Sequence, residues 1–154
     1  MDTHALGRAL ISGTAGAAAL TTLHEAVRRA SPVAPRMDVL GMRGLRKLLG
    51  KRTPADDRRL HQVALVGDLV SNTAYYALVA AGDPDRAPVR GALLGVIAGV
   101  GAVVLPPWLG LGDPPHVTSR ANRLMTVAWY ALGGLAAGLV QRQLARRQRY
   151  WIQR

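Results

Sequence analysis

The chain has 154 residues, which suits one domain and is too short for two comfortable ones. Nearly half its residues are hydrophobic, but there is no Phe, 17 residues are Gly and only 5% are aromatic, a composition poor in the large side chains that a soluble core of this size buries. The absence of Cys excludes disulfides, cysteine-held iron–sulfur clusters and thiol catalysis; the net charge of +11 raises nucleic acid as a partner, but no recognition motif accompanies it, so no nucleic acid is expected.

The first candidate span covers residues 6–27 and is rich in Ala, Gly and Thr, with Arg8 near its start. The N-terminus lacks a signal peptide's basic start and cleavage site, so this stretch is expected to be retained. Ser12 with Gly16, and Gly13 with Ala17, give the small-xxx-small spacing of closely packed membrane helices. His24, Glu25, Arg28 and Arg29 close the span, with Glu25 on the face of Thr14 and Thr21 and within reach of either arginine.

Residues 28–60 form a basic connection, and Pro32 and Pro35 stop the first helix. Ten of the basic residues fall in 28–59 and five more in the tail 141–154, next to apolar stretches, an arrangement suited to anionic headgroups. Met37, Leu40, Leu45, Leu48 and Leu49 interleave with Arg43, Arg46 and Lys47, predicting a short amphipathic helix on the headgroups, which Gly41 and Gly44 weaken. Thr53-Pro54 followed by Asp56 and Asp57 predicts a helix start near Pro54, with Thr53 as cap.

The second span, 61–81, carries a carboxylate near its middle. Wound as a helix, it places His61, Leu65, Asp68, Asn72 and Tyr75 on one face. Lipid cannot satisfy such a polar seam, so it must look at another helix or a wet cavity.

A turn dense in Gly, Asp and Pro follows over 82–88. The third span, 89–107, carries Gly91, Gly95 and Gly99 on one strip, predicting the most buried interface; Pro106-Pro107 ends it beside an interfacial Trp108. After a non-helical stretch at 109–115, and entry through Thr118 to Arg123, the fourth span covers 124–140 and contains Trp129, Tyr130, Gly133 and Gly134. In the basic tail, Tyr150 and Trp151 could rest on the membrane surface. Four crossings with the connection inside put twelve basic residues inside and eight outside; a re-entrant third segment would make it fifteen against five. Four crossings are retained because 89–109 is long enough to span.

The stretches Leu23–Ala26 with Ala34–Arg43, Gly67–Tyr76 and Gly101–Gly112 resemble those of small bacterial multi-span membrane proteins of uncharacterised function. That resemblance implies a multi-pass protein of the bacterial inner membrane and no particular activity, cofactor or site.

The reading is thus an all-α integral membrane four-helix bundle with a short amphipathic interfacial segment. Its candidate polar seam is His24, Glu25, His61, Asp68, Asn72, Tyr75 and Tyr130. A metal centre at His24, Glu25, His61 and Asp68 has the residue types but not the spacing, since there is no Glu-x-x-His and adjacent residues diverge by about 100° on a helix; no metal or cofactor is expected. Acid/base chemistry on a lipid-soluble substrate by Asp68 and Glu25, with Asn72, Tyr75 and Tyr130 orienting it, is one alternative, and a proton- or cation-coupled transporter is another. A structural Asp68 in a small accessory subunit comes first, with membrane lipids and a homo-oligomer or larger membrane complex as partners. His4 and His116 read as surface residues, and no Walker loop, dinucleotide fingerprint, nucleophile elbow or His-Glu-x-x-His motif is present.

Overall fold

A computed structural model describes residues 3–31, 34–113 and 119–152, with side chains through Tyr150. Pro32, His116, Thr118 and the Trp151 side chain lie outside the described residues. All regular structure among the described residues is helical: α1 (Thr3–Ala30), α2 (Met37–Leu49), α3 (Asp57–Tyr76), α4 (Ala87–Trp108) and α5 (Arg120–Ile152). Short 3₁₀ turns at Gly50–Arg52, Ala77–Ala80 and Pro84–Arg86 join them.

Three of these helices are long and apolar enough to cross a membrane, in the segments Asp57–Ala80, Pro84–Trp108 and Arg120–Tyr150. α1 has the length, at 28 residues, but its Ala, Gly and Thr content and its charged ends leave it outside that set.

The spatial order of the long helices is α4, α5, α1, α3. α5 therefore sits between the first and fourth helices, and the consecutive α3 and α4 scarcely touch along their length. Two adjacent glycines explain how α5 serves two neighbours. A Cβ on Gly133 would stand 3.1 Å from the Gly16 carbonyl oxygen of α1, whereas one on Gly134 would lie 2.0 Å from the Gly91 carbonyl oxygen of α4. Successive side chains diverge by about 100° on a helix, so Gly-Gly opens two faces at once to close backbone approach.

The strip expected on α4 is buried where expected, with Gly91 against Gly134, Gly95 against Tyr130 and Gly99 against Val127. The small residues expected on α1 are buried too: Gly13 lies on the Thr73 carbonyl of α3, and Gly16 on Ala137 and Gly133 of α5. The opposite faces carry exposed Val89, Leu93, Val96, Ile97, Val100 and Val104 on α4 and Val63, Val66 and Val70 on α3.

Two local expectations are corrected. α3 starts at Asp57, not near Pro54: Asp56 is the cap, accepting from the Arg58 and Arg59 N–H groups at 3.1 and 3.3 Å, while the Thr53 hydroxyl donates to the Gly50 carbonyl. Pro106 and Pro107 do not end α4; they sit inside its last turn. The stop is Gly110 at φ +67°, in a Schellman motif whose bonds run from Leu111 N–H to the Pro106 carbonyl and from Gly110 N–H to the Pro107 carbonyl. α5 extends into the basic tail as far as Ile152, with Arg146 and Arg149 paired to Asp85 of the 3₁₀ turn Pro84–Arg86.

α4 runs unbroken from that turn to the loop under α2, about 33 Å at 1.5 Å per residue, so the re-entrant course has no counterpart here. At the loop end, the basic face of α2 bonds protein: Arg43 donates to the Leu111 and Asp113 carbonyls, Lys47 to the Leu109 carbonyl, and Arg46 pairs with Asp57. Leu48, 84% exposed, is left projecting from α2, and Trp108, 86% exposed, projects from the end of α4.

Candidate functional site

The polar face of α3 begins beside α2. Arg36 grips Asp38 with two bonds of 2.8 and 2.7 Å at the start of α2. Burial alone would raise the Asp38 carboxyl; the Arg36 guanidinium, with smaller help from the Val39 N–H and His61, outweighs it and holds the carboxyl below the usual carboxylate range. His61 Nδ1 stands 3.9 Å from Asp38 Oδ2, beyond hydrogen-bond distance.

Beneath α2 lies a cavity of about 320 Å³ between α1, α2 and α3. Its polar lining is Thr21, His24, Glu25, Asp38, His61 and Asp68, with Arg28 and Arg29 also on its wall. Met37, Ala64 and Leu65 are among its apolar residues. Gly41 of α2 faces Ala64 of α3 across this roof, and a Cβ there would meet Ala64 in ordinary contact at 3.8 Å.

Glu25 is neutralised as expected, and by both arginines. Arg28 donates to it from Nε and Nη2 at 2.9 and 2.7 Å, and Arg29 from Nε at 2.9 Å. Asp68 differs: its described contact is the Asn72 amide, which donates to Oδ1 at 2.9 Å, and no cation among the described residues pairs with it. His24 stacks edge-on against Trp129, with ring centroids 4.8 Å apart, and against Tyr130 at 5.7 Å. Its Nε2 and the Thr21 hydroxyl oxygen are buried with no hydrogen-bond partner among the described residues.

The expected seam is therefore divided. His24, Glu25, His61 and Asp68 meet at the cavity, and Asn72 stands behind Asp68. Tyr75 and Tyr130 are not among the residues that line it. The Tyr75 hydroxyl donates across to the Leu94 carbonyl of α4 at 2.9 Å, and Tyr130 packs in the core behind His24. Arg8, a conceivable partner for Asp68, instead donates to Gln148 of α5, and the Ser12 hydroxyl one turn on donates to Gln141 at 2.9 Å. Asp38, Arg36 and Met37 belong to the site although periodicity on the spans could not show it; the signal was an acid two residues after Arg36 at the start of an amphipathic helix.

Chemically, the arrangement offers hydrogen-bond acceptors and one uncompensated carboxylate beside an apolar wall. No group of three or more His, Cys, Asp or Glu among the described residues could hold a metal ion. Asp68 and His24 share the cavity without bonding each other. No protein-family model matches the chain, and comparison with curated proteins and with solved structures returned no match.

Proposed function

We propose that this chain is a multi-pass protein of the bacterial inner membrane, a four-helix bundle of α1, α3, α4 and α5 whose cavity under α2 holds a small amphipathic ligand. Support for membrane integration comes from the exposed valines and leucines along α3 and along α4, more apolar surface than soluble monomers usually present. α1 is compatible with this despite its weak hydropathy, because α3 and α5 flank it and cover Ser12, Gly13 and Gly16. The full-length chain is expected to stay with membranes through an alkaline carbonate wash and to be released by detergent. Recovery of intact, monodisperse protein in a detergent-free aqueous fraction would refute the architecture.

One observation carries the ligand reading: polar groups that packed structural helices normally pair, Asp68, Thr21 and His24, converge on one cavity without full protein partners. Native mass spectrometry of the mildly solubilised protein is expected to show a non-protein mass bound to wild type and absent from Leu65→Trp, which plugs the cavity. Apo masses for both would instead favour the accessory-subunit reading. That second reading draws support from the polar pairs that tie helix to helix, Ser12–Gln141, Tyr75–Leu94 and Tyr76–Tyr130, none of which needs a ligand.

A further inference from the structure

We propose that the cavity under α2 takes a protonated primary amine carried on an apolar chain, with Asp68 as its counter-ion. This rests on the ligand-holding reading above.

The charge pattern favours a cation. Glu25, Asp38, Asp57, Asp83 and Asp85 each face an arginine, and Asp56 caps α3. Asp68 is set deeper along its helix and receives one amide N–H. A carboxylate in that setting lacks the compensation that buried charges require, and a cation entering the cavity supplies it. An anion would meet Asp68, Glu25 and Asp38 on the cavity wall, and a neutral alcohol would leave Asp68 as it is. The guanidiniums of Arg28 and Arg29 are already turned to Glu25.

The acceptor count favours an ammonium. An –NH₃⁺ group presents three N–H donors. The Asp68 carboxylate lines the cavity together with Thr21 and His24, whose Oγ1 and Nε2 are buried without a hydrogen-bond partner among the described residues. A metal ion finds no cluster of ligands there. Leu65 and Met37 line the same space, and Leu65 is also 45% exposed, so the apolar wall beside Asp68 reaches the surface of the protein. At about 320 Å³ the space is at the small end of ligand pockets, suited to a headgroup and the first methylenes of a chain.

The test uses the full chain in a maltoside detergent, with dodecylamine and dodecanol as probes and adduct occupancy in native mass spectrometry as the readout. Dodecylamine should bind saturably, and at least about tenfold more tightly than dodecanol, the worth of one charge-assisted interaction. Asp68→Asn should lower amine affinity to the alcohol's level while melting close to wild type. Asp68→Glu should keep the amine preference, and Leu65→Trp should remove binding with the acid intact. Equal binding of the two probes, or amine binding indifferent to Asp68→Asn, overturns the amine proposal while the ligand-holding reading stands. Absence of both adducts from wild type overturns the two together. Nanodiscs identify the source: phosphatidylethanolamine, but not phosphatidylcholine, competing with dodecylamine assigns the amine to a lipid headgroup, and no competition from either assigns it to a free amine.

Discussion

Gly95→Leu is expected to destroy the α4–α5 pairing and with it the folded protein in detergent. A Cβ at Gly95 would lie 2.2 Å from the Tyr130 carbonyl oxygen and 2.6 Å from the Ala131 Cα, so the obstacle is backbone that cannot rotate away. Gly91 and Gly134 oppose each other in the same way, each blocked by the other's carbonyl at 2.0–2.1 Å. Ordinary overpacking costs about 1–3 kcal/mol, and here the helices would have to separate along the seam, so the effect should reach or exceed the top of that range. Gly101→Leu is the internal control. It lies on the same helix two residues beyond Gly99, and a Cβ there meets only its own Leu105 side chain at 3.5 Å. Thermal unfolding in detergent should show Gly95→Leu falling far below wild type and Gly101→Leu staying near it. Equal melting of the three would mean that α4 does not pack through this strip.

That strip was readable in advance because spacing of four residues fixes a helix face whatever the partner. The partner was not readable: Gly91, Gly95 and Gly99 require a close neighbour, but nothing in them names α5 over the adjacent α3. The face of α3 was likewise fixed by period, yet over the fourteen residues from His61 to Tyr75 an ideal helix drifts by about 40°. That drift is in keeping with Asp68 lining the α1–α2 cavity while Tyr75 bonds the Leu94 carbonyl of α4. Pro106-Pro107 misled for a different reason. Proline forbids the bond from its own N–H but not the turn it stands in, and the stop came from Gly110, free to take a positive φ. The basic residues of α2 read as headgroup contacts because sequence cannot show that loop carbonyls at 109, 111 and 113 come within their reach. Between the paired tyrosines, period pointed to Tyr75, and the residue that closes the core is its neighbour.

Tyr76 is fully buried where α1, α3 and α5 meet. Its hydroxyl donates to the Tyr130 carbonyl at 2.8 Å, and its ring lies against the space left by Gly16, whose Cβ would stand 3.1 Å from it. Gly133 leaves room for the hydroxyl in the same way, at 3.1 Å. The glycines thus open a hole that the tyrosine fills. Tyr76→Phe removes one hydrogen bond and should cost about 1 kcal/mol, in line with single polar contacts between membrane helices. Tyr76→Ala removes the plug, and by comparison with other aromatic truncations should cost about 3–5 kcal/mol. Tyr75→Ala, at a half-buried site with one bond to α4, should cost less than Tyr76→Ala. Unfolding in mixed detergent measures all three, and a Tyr76→Ala variant no weaker than Tyr75→Ala would place the stability of α1 against α3 somewhere other than this junction. Because α1 and α3 are also two walls of the cavity, loosening the junction should lower occupancy by dodecylamine in parallel, whereas Tyr76→Phe, which keeps the ring in place, should leave it close to wild type.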